Sequence, residues 1–369
     1  MNYAHDNRVV MTLDAGGTNF VFSAIQGNEE IVTPIRLPSD ADNLDKCLKN
    51  IITGFEEVMR NLKKDPVAIS FAFPGPADYA RGIIGDLGNL PAFRGGIALG
   101  PMLAEKFGIP VFINNDGDLF AYGEAIAGFL PEINQRLQQK GSQKQYQNLL
   151  GITLGTGFGA GIVRKNELFL GDNGAAAEIW LMRNKLYPQS FAEEGASIRA
   201  IRRVYLQYST YSHTENLTPK DIYDIANGAK EGDVHAAIRA FNEMGEVVGD
   251  ALANAITLID GLIVIGGGLA GAASLFLPAL VNEMNKPIQR IDGTEVPRLE
   301  VQVFNLENED EFSRFAAGEA KEVPVPGTHK VVPYDPMKRI GVGLSRLGTS
   351  KAIAIGAYTY ALHVLDNLE

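Results

Sequence analysis

Two segments of the chain share one pattern, in which two apolar strands flank a turn of small residues and a threonine. They are LDAGGTNFVFSAI (Leu13–Ile25) and LGTGFGAGIV (Leu154–Val163). A glycine-rich turn lets backbone N–H groups approach an anionic ligand, because no Cβ atom stands in the way. Two such hairpins in one chain predict a duplicated α/β domain with a cleft between the copies.

Length and composition agree with that duplication. The chain has 369 residues, which is too many for one compact core and suits two domains of roughly 150–200 residues each. Its residues are 46% hydrophobic and 21% charged. This balance is typical of a soluble globular protein and excludes a disordered or disulfide-stapled chain.

The charge and the cysteine content narrow the range of partners. The net charge is −11, from 33 lysines and arginines against 44 aspartates and glutamates. Such a surface repels nucleic-acid phosphates, so we expect no nucleic-acid partner. One cysteine, Cys47, allows neither an internal disulfide nor a thiolate zinc site. The opening residues MNYAHDNRVV contain no apolar signal core, and we expect a cytoplasmic protein.

One uncharged stretch is long enough to be tested as a membrane span. Gly261–Asn282 contains 22 residues without a charge, which is about the length that a bilayer needs. However, three consecutive glycines and Pro278 are costly inside a helix, and no lysine or arginine anchors either end. We therefore predict a buried strand at Leu262–Ile265, a glycine turn and a packed helix, and no membrane partner.

Apolar patterns predict the remaining elements. Strands are predicted at Arg8–Asp14, Phe20–Gln26, Val67–Phe73, Pro110–Ile113, Asn148–Leu154 and Phe158–Arg164. Helices are predicted within Ala41–Lys63, Leu119–Ala127, Ala196–Leu258 and Ala352–Val364. The polar segment Pro131–Gln147 is interpreted as a surface loop or an exposed helix, and Glu307–Pro336 as an irregular excursion.

The glycine turns are candidate phosphate sites. In the first turn, Gly16, Gly17 and Thr18 are placed to hold phosphate, with Asp14 binding Mg²⁺ through water. In the second, Gly155–Gly157 would hold the other side of a polyphosphate. For both turns the alternative is a tight hairpin without a ligand. The chain contains neither the GxxxxGK[ST] loop nor a GxGxxG fingerprint at AGGTN.

A third glycine run and a strand end supply further candidates. Gly266–Gly268 ends a strand and begins a helix, so a nucleotide could lie against it, although close helix–strand packing explains it equally. Asp116 follows a strand at the edge where α/β sheets bind ligands, and it is a candidate general base. The alternative for Asp116 is capping of the next helix.

Eight motifs together resemble the ROK sugar kinases of the hexokinase–actin ATPase superfamily. In family order they are LDAGGTNF, FPGP, GNLP, NND, GITLGTGFGAGIV, NGAAAEI, IVIGGGL and LSRLGTSKAIAIGAYTYAL. The resemblance spans Val9 to Leu362, apart from the insert after Leu130 and the 290–340 region. It implies an α/β fold of two RNase H-like domains closing on ATP and a sugar, with domains at 1–128 and 129–369. The final helix, 352–364, would pack back on the N-terminal domain.

The resemblance also implies roles for individual residues. Asp116 would be the catalytic base. The contacts to ATP and Mg²⁺ would come from Asp14, Gly16, Gly17, Thr18, Asn19, Thr156, Gly157, Gly267 and Gly268. The contacts to sugar would come from Gly75, Asn89, Asn115, Glu178 and Glu193, the last by its E-x-x-x-S spacing to Ser197. A homodimer is usual in this family.

The chain departs from the family pattern at one motif. Where the family has AGEIGH, this chain has AAEIWL, so Leu181 replaces the histidine that contacts sugar and zinc, and Trp180 is new. The cysteine cluster that follows is missing from RNKLYPQSFAEE, so we expect no structural zinc. The identity of the sugar stays open. With 13 residues ahead of Asp14, a repressor with a preceding DNA-binding domain is not expected. The alternative to a kinase is a non-catalytic sugar- or nucleotide-binding regulator.

Overall fold

The computed structural model describes residues 3–211 and 217–368. These residues form two compact units, each built from separate stretches of the chain. The first unit contains residues 3–131, 161–177 and 346–368, and the second contains 132–160, 178–211 and 217–345.

Strands and helices are numbered along the chain. The strands are β1 Val9–Ala15, β2 Asn19–Gln26, β3 Glu29–Glu30, β4 Ile35–Pro38, β5 Pro66–Ala72, β6 Ala77–Asp78, β7 Ile83–Ile84, β8 Val111–Asn114, β9 Asn148–Leu154, β10 Phe158–Arg164, β11 Glu167–Phe169, β12 Leu262–Gly266, β13 Pro287–Gln289, β14 Glu295–Pro297, β15 Gln302–Asn305, β16 Lys321–Pro324, β17 Val331–Tyr334 and β18 Arg339–Leu344. The helices are α1 Leu44–Asn61, α2 Leu99–Phe107, α3 Asp116–Ile126, α4 Phe129–Gln139, α5 Glu193–Ala196, α6 Ile198–Tyr208, α7 Pro219–Ala226, α8 Val234–Ile259, α9 Ala273–Asn285, α10 Glu309–Ala317 and α11 Thr349–Asp366.

The first unit contains a mixed sheet in the order β3–β2–β1–β5–β8, with β4 beside β2. Strands β1 and β2 are antiparallel, whereas β1, β5 and β8 run parallel. Alternation along β1 separates two cores. On one face, Met11 packs in a cluster with Phe55 of α1. On the other, Val10 packs with Tyr358 and Leu362 of α11.

The second sheet has the order β11–β10–β9–β12–β18–β15, and its strands β9, β12, β18 and β15 lie in the second unit. Strand β12 is buried along its whole length and runs parallel to β9 and β18. After it come a 3₁₀ turn at Gly268–Ala272 and helix α9, which contains Pro278. The predicted succession of strand, glycine turn and packed helix is therefore confirmed. Among the described residues, no helix is long and apolar enough to cross a membrane.

The polar insert is more ordered than the sequence analysis suggested. Helix α4 covers its first half, and both Ile133 and Leu137 are fully buried. These two side chains are four positions apart, so they share one face of the helix. The predicted alternative of a helix is confirmed for this half, but the helix is not exposed on every side, because two apolar residues among the polar ones form a short buried face.

The segment 307–336 is also not irregular. Asn308 caps helix α10 by accepting hydrogen bonds from Asp310 and Glu311, and its buried Phe312 and Phe315 anchor the helix. The proline-rich part forms the antiparallel ribbon β16–β17. Prolines are tolerated there because a two-stranded ribbon leaves outward-facing positions that need no N–H donor.

Candidate active site

The first unit aligns polar side chains at the carboxyl ends of its parallel strands. Asp14 of β1 lies in register with Ala72 of β5, and Ala72 lies in register with Asn114 of β8. Asn115 and Asp116 follow directly. The strand order therefore places Asp14 and Asp116 at one edge of one sheet, where α/β folds bind ligands.

Asp116 begins helix α3 but does not cap it. The cap residue is Asn115, whose Oδ1 accepts a hydrogen bond from Gly117 N at 2.8 Å. Asp116 Oδ1 accepts from the same N–H at 2.9 Å. The capping role considered for Asp116 is thus filled by Asn115, which was expected to contact sugar. A change at Asp116 leaves the helix its cap.

The surroundings of Asp116 favour a base that titrates closer to neutrality. The residue reaches solvent, yet protein atoms replace much of the water around its carboxyl group. This desolvation is the main reason that the pKa of Asp116 is raised; the Gly117 N–H opposes the shift, and the negative charge of Asp14 adds to it. A raised pKa makes a carboxylate a better proton acceptor near neutral pH.

The first glycine–threonine turn is a tight, exposed hairpin. Gly16 N donates to Asn19 O at 3.1 Å and closes the turn between β1 and β2. Ser39 supports it from outside, since its Oγ donates to Gly17 O at 2.6 Å and its N–H donates to Thr18 O at 3.0 Å. Gly16, Gly17 and Thr18 are exposed, so the turn can present its backbone to a ligand.

Two predicted sugar contacts lie in loops of the same unit. Asn89 lies beside the first turn, because its carbonyl oxygen is 3.8 Å from the position of a Cβ on Gly17. Gly75 lies two residues after Phe73, and the N–H of Phe73 donates to Asn114 O at 3.0 Å. Both Gly75 and Asn89 are exposed. The predicted contacts of the first unit thus lie at one edge.

The second unit brings its two glycine motifs together. Gly155 N donates to Gly157 O at 3.0 Å and closes the turn between β9 and β10. A Cβ on Gly155 would lie 3.9 Å from the N–H of Gly268. Gly267 has a φ of +87°, and a Cβ on it would meet Leu154 O at 2.3 Å. Glycine is therefore required at 267 for close packing, the alternative that the sequence left open, and that packing sets the two turns side by side.

The second turn is joined to a predicted sugar contact. Glu193 Oε2 accepts a hydrogen bond from Phe158 N at 3.0 Å and lies 2.9 Å from the position of a Cβ on Gly157. Its other oxygen pairs with Arg199 at 3.0 Å. Glu178, the other predicted carboxylate, is exposed and accepts a hydrogen bond from the indole N–H of Trp180.

Two supporting residues escaped the sequence analysis. Glu124 of α3 is fully buried and accepts from the N–H groups of Phe129 at 2.7 Å and Leu347 at 3.1 Å. It thereby ties the end of α3 to the segment before α11. Arg199 pairs with Glu193 and also with Glu194 at 3.1 Å. Charge alone does not predict either role, because Leu347 lies far from Glu124 in the sequence and the Arg199 pairs cross the break between α5 and α6.

The described residues form no separate metal cluster. Within the part of the chain that the structure describes, no group of histidine, cysteine, aspartate and glutamate side chains is arranged to hold a metal ion. Asn184 occupies the region where a zinc loop would stand; it is fully buried, and its Oδ1 accepts from the N–H groups of Leu186 and Tyr187.

Comparison with known proteins identifies the class. The model of the ROK family matches residues 10–309, and the chain belongs to the ROK family. The resemblance found in the sequence is thus confirmed.

Individual relatives agree with this assignment. An N-acetyl-D-glucosamine kinase from Photobacterium profundum is 27% identical over 307 residues, which cover 78% of this chain and 91% of the relative. The crystal structure of a glucokinase from Parabacteroides distasonis is 59% identical, with a TM-score of 0.89 and coverage of 98% and 99%. A ROK family glucokinase from Streptomyces griseus, solved with glucose and AMPPNP, is 19% identical, with a TM-score of 0.59 and coverage of 95% and 98%. The fold is the two-domain α/β fold of the hexokinase and actin ATPases, as predicted.

Proposed function

We propose that this chain transfers the γ-phosphoryl group of ATP to a hydroxyl of a hexose or a related sugar, with Asp116 as general base. The chain is a sugar kinase, and the sugar, the donor and the residue roles are the proposal. The observation that carries it is the pairing of Asp116, whose pKa is raised, with Asp14 and an exposed glycine turn at one sheet edge.

In the proposed reaction, the sugar hydroxyl loses its proton and gains the γ-phosphoryl group. Asp116 accepts the proton of the sugar hydroxyl while that oxygen forms a bond to the γ-phosphorus. The bond from the γ-phosphorus to the bridging oxygen breaks, and ADP leaves with the electron pair. Such transfers depend mainly on positioning and on stabilising the charge of the phosphoryl oxygens.

The backbone of the two turns is suited to the phosphates. In the first unit, Gly16, Gly17, Thr18 and Asn19 are proposed to contact them. In the second, Thr156 and Gly157 are proposed to contact phosphate, and Gly267 and Gly268 the adenosine. The Streptomyces griseus relative, solved with AMPPNP, an ATP analogue, supports ATP as the donor.

The oxygen ligands that Mg²⁺ prefers are present at Asp14, which is exposed at the end of β1. We propose that Asp14 holds the ion through water. When bound, Mg²⁺ neutralises part of the charge on the phosphates.

The sugar is proposed to lie against Gly75, Asn89, Asn115, Glu178 and Glu193. Glucose is the first candidate, because the 59% identical relative is a glucokinase, and N-acetyl-D-glucosamine is the second, because it is the substrate named for another relative. We further propose a cytoplasmic protein that lacks zinc, assembles as a homodimer and binds no nucleic acid.

A coupled assay of ADP release tests the function. ATP and Mg²⁺ are supplied with glucose, N-acetyl-D-glucosamine, mannose or fructose, and ADP formation should depend on the sugar. A reaction without sugar measures hydrolysis by water. Sugar binding measured by calorimetry, with no ADP release above that background, would favour the non-catalytic regulator.

A further inference from the structure

We infer that Trp180 is a positioning residue that orients Glu178, links it to the segment carrying Glu193, and so sets the affinity for sugar. The inference rests on the proposed function, because both carboxylates are proposed sugar contacts. Trp180 lies just outside NGAAAEI, the nearest of the motifs that carry the family resemblance.

The first contact is the hydrogen bond from the indole. Glu178 precedes the 3₁₀ turn Ile179–Leu181, and its side chain makes no capping hydrogen bond to that turn. Its Oε2 instead accepts the indole N–H of Trp180. One carboxylate oxygen is thereby occupied and the side chain is held, while the other oxygen stays available to a sugar hydroxyl.

The second contact joins Trp180 to the segment before α5. The indole packs edge-on against the ring of Phe191, with centroids 5.6 Å apart and an angle of 89° between the planes. The backbone of this segment is fixed, since Ala192 N donates to Met182 O at 2.7 Å. Glu193 follows immediately. Trp180 therefore contacts one proposed sugar ligand directly and packs two residues from the other.

The loop between the two carboxylates does not depend on Trp180 for its structure. Lys185 pairs with Glu246 at 2.8 Å and with Glu283 at 2.7 Å, and Glu283 is almost fully buried. Breaking a pair that involves a buried charge is strongly destabilising, so this anchor is robust. A substitution at Trp180 should therefore change the orientation of Glu178 and leave the loop folded.

Trp180 is also placed to meet a ligand. Glu178 is exposed and Trp180 is only partly buried, so the pair borders solvent. A carboxylate held in one orientation loses less rotamer entropy when it binds a hydroxyl, which strengthens binding. Since Trp180 is the single tryptophan of the chain, its fluorescence reports on this position alone.

The decisive variant is Trp180→Phe, which keeps an aromatic edge for Phe191 and removes the N–H donor. Glucose and N-acetyl-D-glucosamine are both tested. For the sugar that the wild-type protein binds, loss of one hydrogen bond should raise the Kd by about threefold to tenfold. The KM for ATP and kcat at saturating sugar should change less than twofold. Gln189→Ala is the matched control, because Gln189 is exposed in the same loop and this variant keeps Trp180. Calorimetry measures sugar binding in every variant.

A double-mutant cycle with Glu178→Ala separates positioning from bulk packing. If Trp180 acts through Glu178, the double variant should bind sugar no more weakly than Glu178→Ala alone. In the wild type and in Gln189→Ala, the sugar should change the tryptophan emission. Additive losses in the cycle, or a Trp180→Phe protein with wild-type sugar affinity, would overturn the inference.

The experiments distinguish failure of the proposed kinase function from failure of the inference about Trp180. A wild-type protein that binds sugar without releasing ADP contradicts the kinase proposal, yet the cycle can still be measured on Kd. A protein that binds none of the tested sugars contradicts both.

Discussion

The two glycine–threonine turns have similar sequences and different neighbours. In the first, the support comes from Ser39, which hydrogen-bonds the carbonyl groups of Gly17 and Thr18. In the second, Ile198 N donates to Gly155 O at 2.9 Å, and the Glu193 carboxylate accepts the N–H of Phe158. The first turn is supported by the neutral side chain of Ser39, which directly follows β4. The second is supported by the first residue of α6 and by Glu193, a charged residue that is a proposed sugar ligand.

From this difference we expect the two turns to differ in how they affect ATP and sugar binding. The first turn stands beside the proposed base and can respond to ATP alone. The second turn shares Glu193 with the proposed sugar site, so a change that displaces Glu193 should affect ATP and sugar together, whereas a change that spares Glu193 should affect ATP alone.

The largest effect is expected at Asp116, beside the first turn. Asp116→Asn should lower kcat by roughly 10²–10⁴-fold, because general-base catalysis contributes about that factor. Sugar and ATP affinities should change far less, since the amide still accepts a hydrogen bond. The melting temperature should stay near wild type, because Asn115 caps α3.

The control for Asp116→Asn is Asp65→Asn, a change at an exposed loop position. A folded Asp116→Asn protein with wild-type turnover would remove this residue from the mechanism and end the assignment of the base to the first unit.

The acid limb of the rate profile should report the same group. The base must be ionised to accept a proton, so kcat should fall about tenfold per pH unit as the pH drops below its pKa. Because the pKa of Asp116 is raised, this decline should begin above the range of an ordinary aspartate, about 3.9. A rate that stays flat down to that range contradicts the prediction, provided that circular dichroism shows the protein still folded.

Gly157→Ala and Gly17→Ala form a matched pair. A Cβ at 157 would lie 2.9 Å from Glu193 Oε2, whereas a Cβ at 17 would meet only Asn89 O at 3.8 Å. Gly157→Ala should therefore displace Glu193 and raise the KM for sugar by about tenfold, equivalent to about 1.4 kcal/mol, and raise the KM for ATP as well. Gly17→Ala should raise the KM for ATP alone. Equal effects of both variants on sugar would break the contrast.

Thr18→Val and Thr156→Val remove a hydroxyl at nearly constant volume. Both threonines are exposed, so folding should tolerate the change. Each variant should weaken ATP binding by about threefold to tenfold, the value of one hydrogen bond, with little effect on sugar affinity. Titration calorimetry with ATP and Mg²⁺ provides the measurement. Unchanged ATP affinity in both variants would mean that these turns are hairpins without a ligand.

The smallest effect is expected from Ser39→Ala. Ser39 is 2% exposed, and its loss would leave Gly17 O without that donor, at a cost of about 1 kcal/mol in the free energy of unfolding. The KM for ATP should rise about twofold, whereas the KM for sugar should stay constant. Urea denaturation and steady-state kinetics on one preparation measure both. A rise in the KM for sugar would show that the first turn is coupled to sugar binding as well.

The sequence was sufficient for the local elements of both turns. Alternating and continuous apolar runs predicted β1, β2, β9, β10 and β12 close to their observed limits. The glycine runs predicted the turns, because a missing Cβ is a local requirement that does not depend on distant contacts. The order of the eight motifs predicted the ROK family, which the comparisons confirmed.

Tertiary structure decided what supports each turn and which residue does what at α3. Asn115 and Asp116 are adjacent and both can cap a helix, so only the backbone geometry assigns the cap to Asn115. Nothing in the spacing of residues 157 and 193 predicts that the Glu193 carboxylate fills the space that a Cβ on residue 157 would need. The strand order that sets Asp14 near Asp116, and the packing of Trp180 on Phe191, depend on long-range contacts. Such contacts leave no periodic signal in one sequence, which is why they appear only in the folded chain.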